Sequence, residues 1–162
     1  MTAMQIQIIA PGKVREPYLV QGIQEYEKRL RPYADLSIVE VPEAAVPPRV
    51  SPSEVRKVLE REGERILAAL REPTLPVALA LDGEEWSSGE LAGFLQNLEI
   101  QGKGRVAFII GGSHGLSPQV LSRAGVRLSL SRMTFTHQMC RLILLEQIYR
   151  AFRIKSGQPY HK

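Results

Sequence analysis

The chain has 162 residues, of which 44% are hydrophobic and 23% charged, with a formal net charge of +4 and a single cysteine, Cys140. That length suits one core and excludes two full-sized domains, the composition excludes wholesale disorder, and one cysteine excludes an intramolecular disulfide. Nowhere do 18 apolar residues run uninterrupted, and the first eleven residues lack a basic leader, so neither a membrane span nor a secretory signal is predicted and the expected location is the cytoplasm.

Gln5 to Ala10 is β-rich and stops at Pro11-Gly12, which reads as a first strand. From Glu16 to Arg31, Leu19, Val20, Ile23, Tyr26 and Leu30 recur at helical spacing between Pro17 and Pro32. Leu36 to Val41 is a second strand, and the proline-containing stretch from Pro42 to Val50 is a loop of flap-like character. Ser51-Pro52-Ser53-Glu54 opens a long helix that runs to about Arg71, before Pro73 and Pro76. Val77 to Leu81 has no polar alternation, as a strand buried on both faces requires, and Asp82-Gly83 reads as a turn after it. Ser87 or Ser88 caps a helix through Leu98, and Gly102 and Gly104 separate it from the strand Val106 to Ile110. Ser117-Pro118 opens a short helix to about Arg123, Val126 to Leu130 is the last strand, and a long helix runs from about Thr136 to Lys155. Strands alternating with helices predict a single α/β domain over residues 1–162, its sheet mostly parallel with helices on both faces.

Two loops stand out, Gly111-Gly112-Ser113-His114-Gly115-Leu116 and Leu130-Ser131-Arg132-Met133-Thr134-Phe135-Thr136-His137. Each follows a strand and leads into a helix, which places both at the carboxyl edge of the sheet, where α/β proteins hold small ligands. Neither the dinucleotide glycine pattern nor the P-loop pattern is present, so NAD, FAD and nucleoside triphosphates lose support. The glycines permit close backbone approach to a ligand, although Gly-Gly after a strand also serves as a simple turn. His114, His137 and His161 have no metal-ligand spacing, and no metal is expected. Cys140 sits in an apolar run and reads as buried and inert, while His137 reads as a cap or a support for its neighbours.

Charge is unevenly placed. From Arg123 to Lys162 there are eight basic residues against one acid, Glu146. Such a segment either decorates a solvated helix or faces an anionic partner, and its position beside a candidate pocket favours RNA. The last helix is apolar most of the way round, from Met139 through Leu145 to Ile154, so it packs either deep in a monomer or against a second subunit, and a homodimer is predicted.

The run Phe108 to Leu116, the run Leu128 to Thr134, His137-Gln138-Met139-Cys140-Arg141, Leu145 to Ala151 and the ending Pro159-Tyr160-His161-Lys162 together resemble the RlmH (YbeA) ribosomal RNA methyltransferases of the SPOUT superfamily. The resemblance is most specific over the last third of the chain, and element order and length fit from Met4 onward. It implies a SPOUT fold with a C-terminal trefoil knot, a cofactor-binding part at about residues 76–156, a tail at 157–162 and a homodimer. The implied cofactor is S-adenosyl-L-methionine, contacted by Leu81, Gly112, Ser131, Arg132, Met133, Thr134, Phe135 and Thr136. Many relatives carry another residue where His114 stands and a proline where Thr136 stands.

The resemblance further implies methylation of N3 of a pseudouridine in helix 69 of 23S ribosomal RNA, on the assembled ribosome. The N3 proton must leave, so a base or a stabilising cation is needed. Tyr160 and His161 are the expected catalytic residues, acting across the dimer interface, with Arg132, Arg141, Arg153 and Lys162 on RNA phosphates. A non-catalytic RNA-binding assembly factor, or a metabolic enzyme with another small cofactor, would share parts of this pattern.

Overall fold

The computed structural model describes residues 3–46 and 48–160. Its elements follow in the order β1 (Met4–Pro11), α1 (Pro17–Leu30), β2 (Ala34–Val41), α2 (Pro52–Ala69), β3 (Leu75–Glu85), α3 (Ser88–Ile100), β4 (Arg105–Ile109), α4 (Pro118–Arg123), β5 (Val126–Ser129) and α5 (His137–Lys155). The strands form one sheet in the order β2-β1-β4-β3-β5, with parallel pairing throughout. Alternate residues of the central strands face opposite layers. Ile6, Ile8, Val106, Phe108 and Ile110 pack with α1, α3 and α5, while Ile9, Ala107 and Ile109 pack with α2 and α4. Parallel strands covered on both sides need no polar alternation, which is why these runs read as continuous apolar stretches.

Local signals set the helix starts. Ser51, Ser117 and Thr136 each accept a hydrogen bond from the backbone N–H three residues on, and Ser87, not Ser88, closes a capping box with Glu90. Thr136 therefore does work that a proline there could not do, because its hydroxyl oxygen accepts from Met139 N–H at 3.2 Å.

One sequence expectation fails at the end of β3. Asp82-Gly83 does not turn the chain, since the strand continues to Glu85 through an irregularity in which Leu79 and Glu84 both pair with Leu128. The residues between them bulge out of the ladder. Glycine is required at 83, because a Cβ there would lie 2.7 Å from the Arg127 backbone.

Arg141 also departs from expectation. It was assigned to RNA phosphate, yet it is 1% exposed. Its guanidinium donates to Glu40 Oε2, Pro11 O and Gly12 O, each at 2.8 Å. It fastens the second turn of α5 to the carboxyl ends of β1 and β2. A buried cation persists only where a counter-charge and fixed acceptors replace its water, and this corner of the fold supplies both. Arg141→Met should leave these acceptors without their donor and lower stability by about 3 kcal/mol, read from the urea unfolding midpoint. An unchanged midpoint would remove the anchoring role.

Candidate active site

The first loop is built from close backbone approach. Ile110 N–H donates to Ile9 O at 2.9 Å, and the chain then doubles back so that Gly115 N–H donates to Gly112 O at 3.1 Å. A Cβ on Gly111 would sit 2.6 Å from the Gly115 carbonyl, and Gly115 has φ +86°, a conformation that favours glycine. Ser117, 1% exposed, then caps α4 through Val120 N–H at 3.2 Å.

The second loop is held by its own serines. Ser129 Oγ donates to Ser131 O at 3.0 Å, and Ser131 Oγ accepts from Met133 N–H at 3.0 Å. This local turn makes the side chain of Ser131 a structural group as well as a wall. The β3 bulge brings Leu81 to the same place.

The loops and the bulge enclose a cleft of about 710 Å³ at the carboxyl edge of the sheet. Of the residues expected to meet a cofactor, Leu81, Gly112, Ser131, Met133, Thr134, Phe135 and Thr136 line it, and Arg132 does not. Arg132 is exposed. Leu81, Met133 and Phe135 are 62%, 76% and 40% exposed, an unusual display of large apolar side chains around one opening. The lining also includes Ile110, Gly115, Leu116, Leu130, His137 and Gln138. Gly115, Leu116, Leu130 and His137 belong to the two loops that the sequence places at a ligand site, and only Ile110 and Gln138 fall outside them. The signal available for Ile110 was its position at a strand end rather than its residue type.

Among the described residues, no Asp, Glu, Lys or Arg lines the cleft. Its titratable members are held toward their neutral forms. Burial pushes the Cys140 thiol above its ordinary value. Burial likewise lowers His137, with Arg141 acting in the same direction and Glu43 and Glu16 opposing. Among the described residues there is no group of three or more His, Cys, Asp or Glu placed to hold a metal ion, and no helix is long and apolar enough to cross a membrane.

A carboxylate lies just behind the first loop. Glu62 of α2 is 5% exposed, and Ala44 N–H donates to its Oε2 at 3.2 Å. Burial raises its pKa above the ordinary value, the Ala44 hydrogen bond pulls it back, Glu43 raises it, and Arg65 and His114 lower it. Nothing in the sequence marked Glu62, because a charge on an amphipathic helix normally faces water.

The basic C-terminal segment is largely engaged within the chain. Arg123 pairs with Glu72, Arg150 with Glu146, and Lys155 approaches Glu99. Arg153, expected on phosphate, instead donates to Pro159 O at 2.9 Å and Gln158 Oε1 at 2.8 Å, with Tyr33 also donating to Gln158 Oε1 at 2.6 Å. Arg150 Nη1 donates to Tyr160 O at 2.8 Å. These contacts lay the tail through Tyr160 back along the C-terminal half of α5. Carbonyl and amide oxygens of the adjacent tail are always within reach, which is why they compete successfully for these guanidiniums. His161 and Lys162 lie outside the described residues.

Residues 4–161 match the family model described as predicted SPOUT methyltransferase. The chain belongs to the SPOUT methyltransferases. It is 52% identical over 159 residues to the ribosomal RNA large subunit methyltransferase H of Carboxydothermus hydrogenoformans, covering 98% of this chain and 100% of that one. The corresponding protein of Symbiobacterium thermophilum is 53% identical over 161 residues, with the same coverage. This SPOUT methyltransferase also shares its fold with a probable methyltransferase from Bordetella pertussis, at a TM-score of 0.56 and 15% identity over 93% of this chain and 96% of that one. A probable methylase family protein from Haemophilus influenzae gives 0.52 and 14%, over 97% and 70%.

The lowered pKa of His137 has a stability consequence. An imidazole whose folded pKa lies below the usual value of about 6.5 is protonated first in the unfolded chain, so folding stability is lost as pH falls below that value. Between about pH 7.5 and about pH 5 the wild type should therefore lose more stability than His137→Gln, as read from urea midpoints. Equal losses would show that His137 titrates alike in both states.

Proposed function

We propose that this chain is an S-adenosylmethionine-dependent methyltransferase acting on N3 of a pseudouridine in helix 69 of 23S ribosomal RNA, on the assembled ribosome, as a cytoplasmic homodimer. The observation that carries this reading is the cleft, where the two glycine- and serine-built loops meet Leu81. Relatives slightly more than half identical along their whole length carry names for ribosomal RNA large subunit methylation.

The cleft suits the cofactor. Its volume falls in the range for a ligand of that size. Gly111 and Gly112 line the cleft without side chains, so their N–H and C=O groups can read an adenine edge, and Leu81, Met133 and Phe135 offer apolar cover for its faces. When bound, S-adenosylmethionine supplies a methyl group open to displacement from sulfur. The chain's own task is to orient the acceptor nitrogen, exclude water and remove the N3 proton.

Among the described residues the walls contain no carboxylate and no lysine or arginine, and burial holds the cysteine and histidine that line them toward neutral. Tyr160 and His161 remain the groups assigned to the base and its proton. Tyr160 stands far from its own chain's cleft, because Arg150, which holds it, lies 13 residues beyond His137, about 20 Å along the helix. That distance supports a reading in which the tail serving each cleft comes from a second copy, which makes the homodimer part of the mechanism. Exposed Arg132 and the terminal Lys162 are the cations assigned to phosphate.

The trefoil knot belongs to the same reading. β5 lies at the sheet edge beyond β3, yet α5 begins over β1 and β2, held there by Arg141. The second loop must cross back beside the first to connect them.

Incubation with radiolabelled S-adenosylmethionine and unmethylated ribosomes should place label in 23S RNA at that pseudouridine. RNA binding without label would instead favour an assembly factor. Truncation after Pro159 should cut transfer by about 100-fold or more while cofactor affinity by calorimetry stays intact. Light scattering should give twice the 18.1 kDa chain mass, and a monomer would overturn the shared site.

A further inference from the structure

The described part of the loop after β2 is tied to α2 at two points. Ala44, 5% exposed, donates its N–H to Glu62 Oε2, and Pro42 O accepts from Arg65 Nη1 at 2.8 Å. The same turn of α2 supports the first loop at both ends. A Cβ on Gly112 would lie 3.1 Å from Glu62 Oε1, and a Cβ on the neighbouring Gly63 would run into the Ser117 hydroxyl. The side of Gly112 that a Cβ would occupy therefore faces one oxygen of the Glu62 carboxylate, while Ala44 N–H donates to the other.

A buried carboxylate costs free energy that an alanine or leucine at the same place would not. Ile66, Leu67 and Ala69, further along α2, show that this face otherwise packs apolar groups. The carboxylate must therefore serve something other than packing. Its two oxygens face two separate segments, and both segments belong to the cleft's surroundings. Gly112 is a wall, and Glu43, next to Ala44, is close enough to Gly12 that a Cβ there would lie 2.9 Å from its carboxylate. Glu43 also acts electrostatically on His137, the first residue of α5, at the end of the opposite wall.

We propose that Glu62 is a positioning residue of the cofactor site, a two-sided strut through which occupancy of the first loop is passed to the Pro42–Ala44 segment and so to the start of α5. The inference rests on the reading of the cleft as an S-adenosylmethionine site. Interior groups are packed without slack, so a shift of Gly112 on ligand binding presses on Oε1, and the rigid carboxylate carries that displacement to Ala44. Reach and acceptor capacity matter here, and charge does not. Glutamine keeps a carbonyl oxygen for Ala44 N–H at the same length, whereas alanine leaves Ala44 and Gly112 unconnected.

The test is hydrogen–deuterium exchange on the full-length protein with and without S-adenosylmethionine, together with calorimetric affinity for the same ligand. In the wild type, ligand should slow exchange at residues 111–116 and also at Ala44. Glu62→Ala should keep the protection at 111–116, lose it at Ala44 and bind about tenfold more weakly. Glu62→Gln should restore both the coupling and the affinity while Glu62→Leu, which fills the space without an acceptor, should not, whereas a merely space-filling role predicts rescue by both. Protection that stops at residues 111–116 in the wild type overturns the strut and leaves the cofactor reading intact. No ligand-induced change anywhere in the wild type overturns both. The wild-type measurement decides between these even if Glu62→Ala fails to fold.

Discussion

A buried guanidinium fixes where the second wall of the cleft stands. α5 leaves β5 at one edge of the sheet and must begin over β1 and β2, and Arg141 holds it there through Glu40 and the carbonyls of Pro11 and Gly12. Those carbonyls lie at the end of a strand, where the ladder no longer supplies donors, so they are open to a side chain from elsewhere. Once α5 is placed, the segment from Leu130 to Thr136 has to pass in front of the sheet. The cleft is the space between that crossing segment and the loop after β4.

The chemistry of the cleft follows from how it is made. Walls formed by strand ends and tight turns are backbone, small hydroxyls and apolar side chains, and they leave no room for solvated charges. Such a site grips a flat, polar-edged ligand through main-chain groups, but it has little with which to move a proton. In the function proposed above, moving that proton falls to the tail. Arg150 and Arg153 do not reach outward for phosphate. They shape the tail and hold it against the C-terminal half of α5.

Much of this architecture was legible in the chain. Ser51, Ser117 and Thr136 announced their helices, and apolar runs such as Val106 to Ile110 announced a sheet covered on both faces, because capping and burial are decided by neighbours in sequence or by a simple period. The two loops were legible for the same reason, since glycines and serines mark places where backbone turns sharply. Asp82-Gly83 misled because the signature of a turn and that of a bulge are the same glycine, and only the partner strand decides between them. Arg141 misled because a lone arginine on a helix is normally solvated, and its acceptors are more than a hundred residues away.

The sequence by itself determined the alternation of strands and helices, the caps that start them, the backbone character of the two loops and, through spaced motifs, the family. All of these depend on residue type and local spacing. The tertiary structure alone decided which charges are spent inside the molecule, which strand ends meet at the cleft, and that Glu62 stands between Ala44 and Gly112. Those depend on groups distant in the chain coming within hydrogen-bonding range, and on which of them give up their water, and a linear pattern records neither.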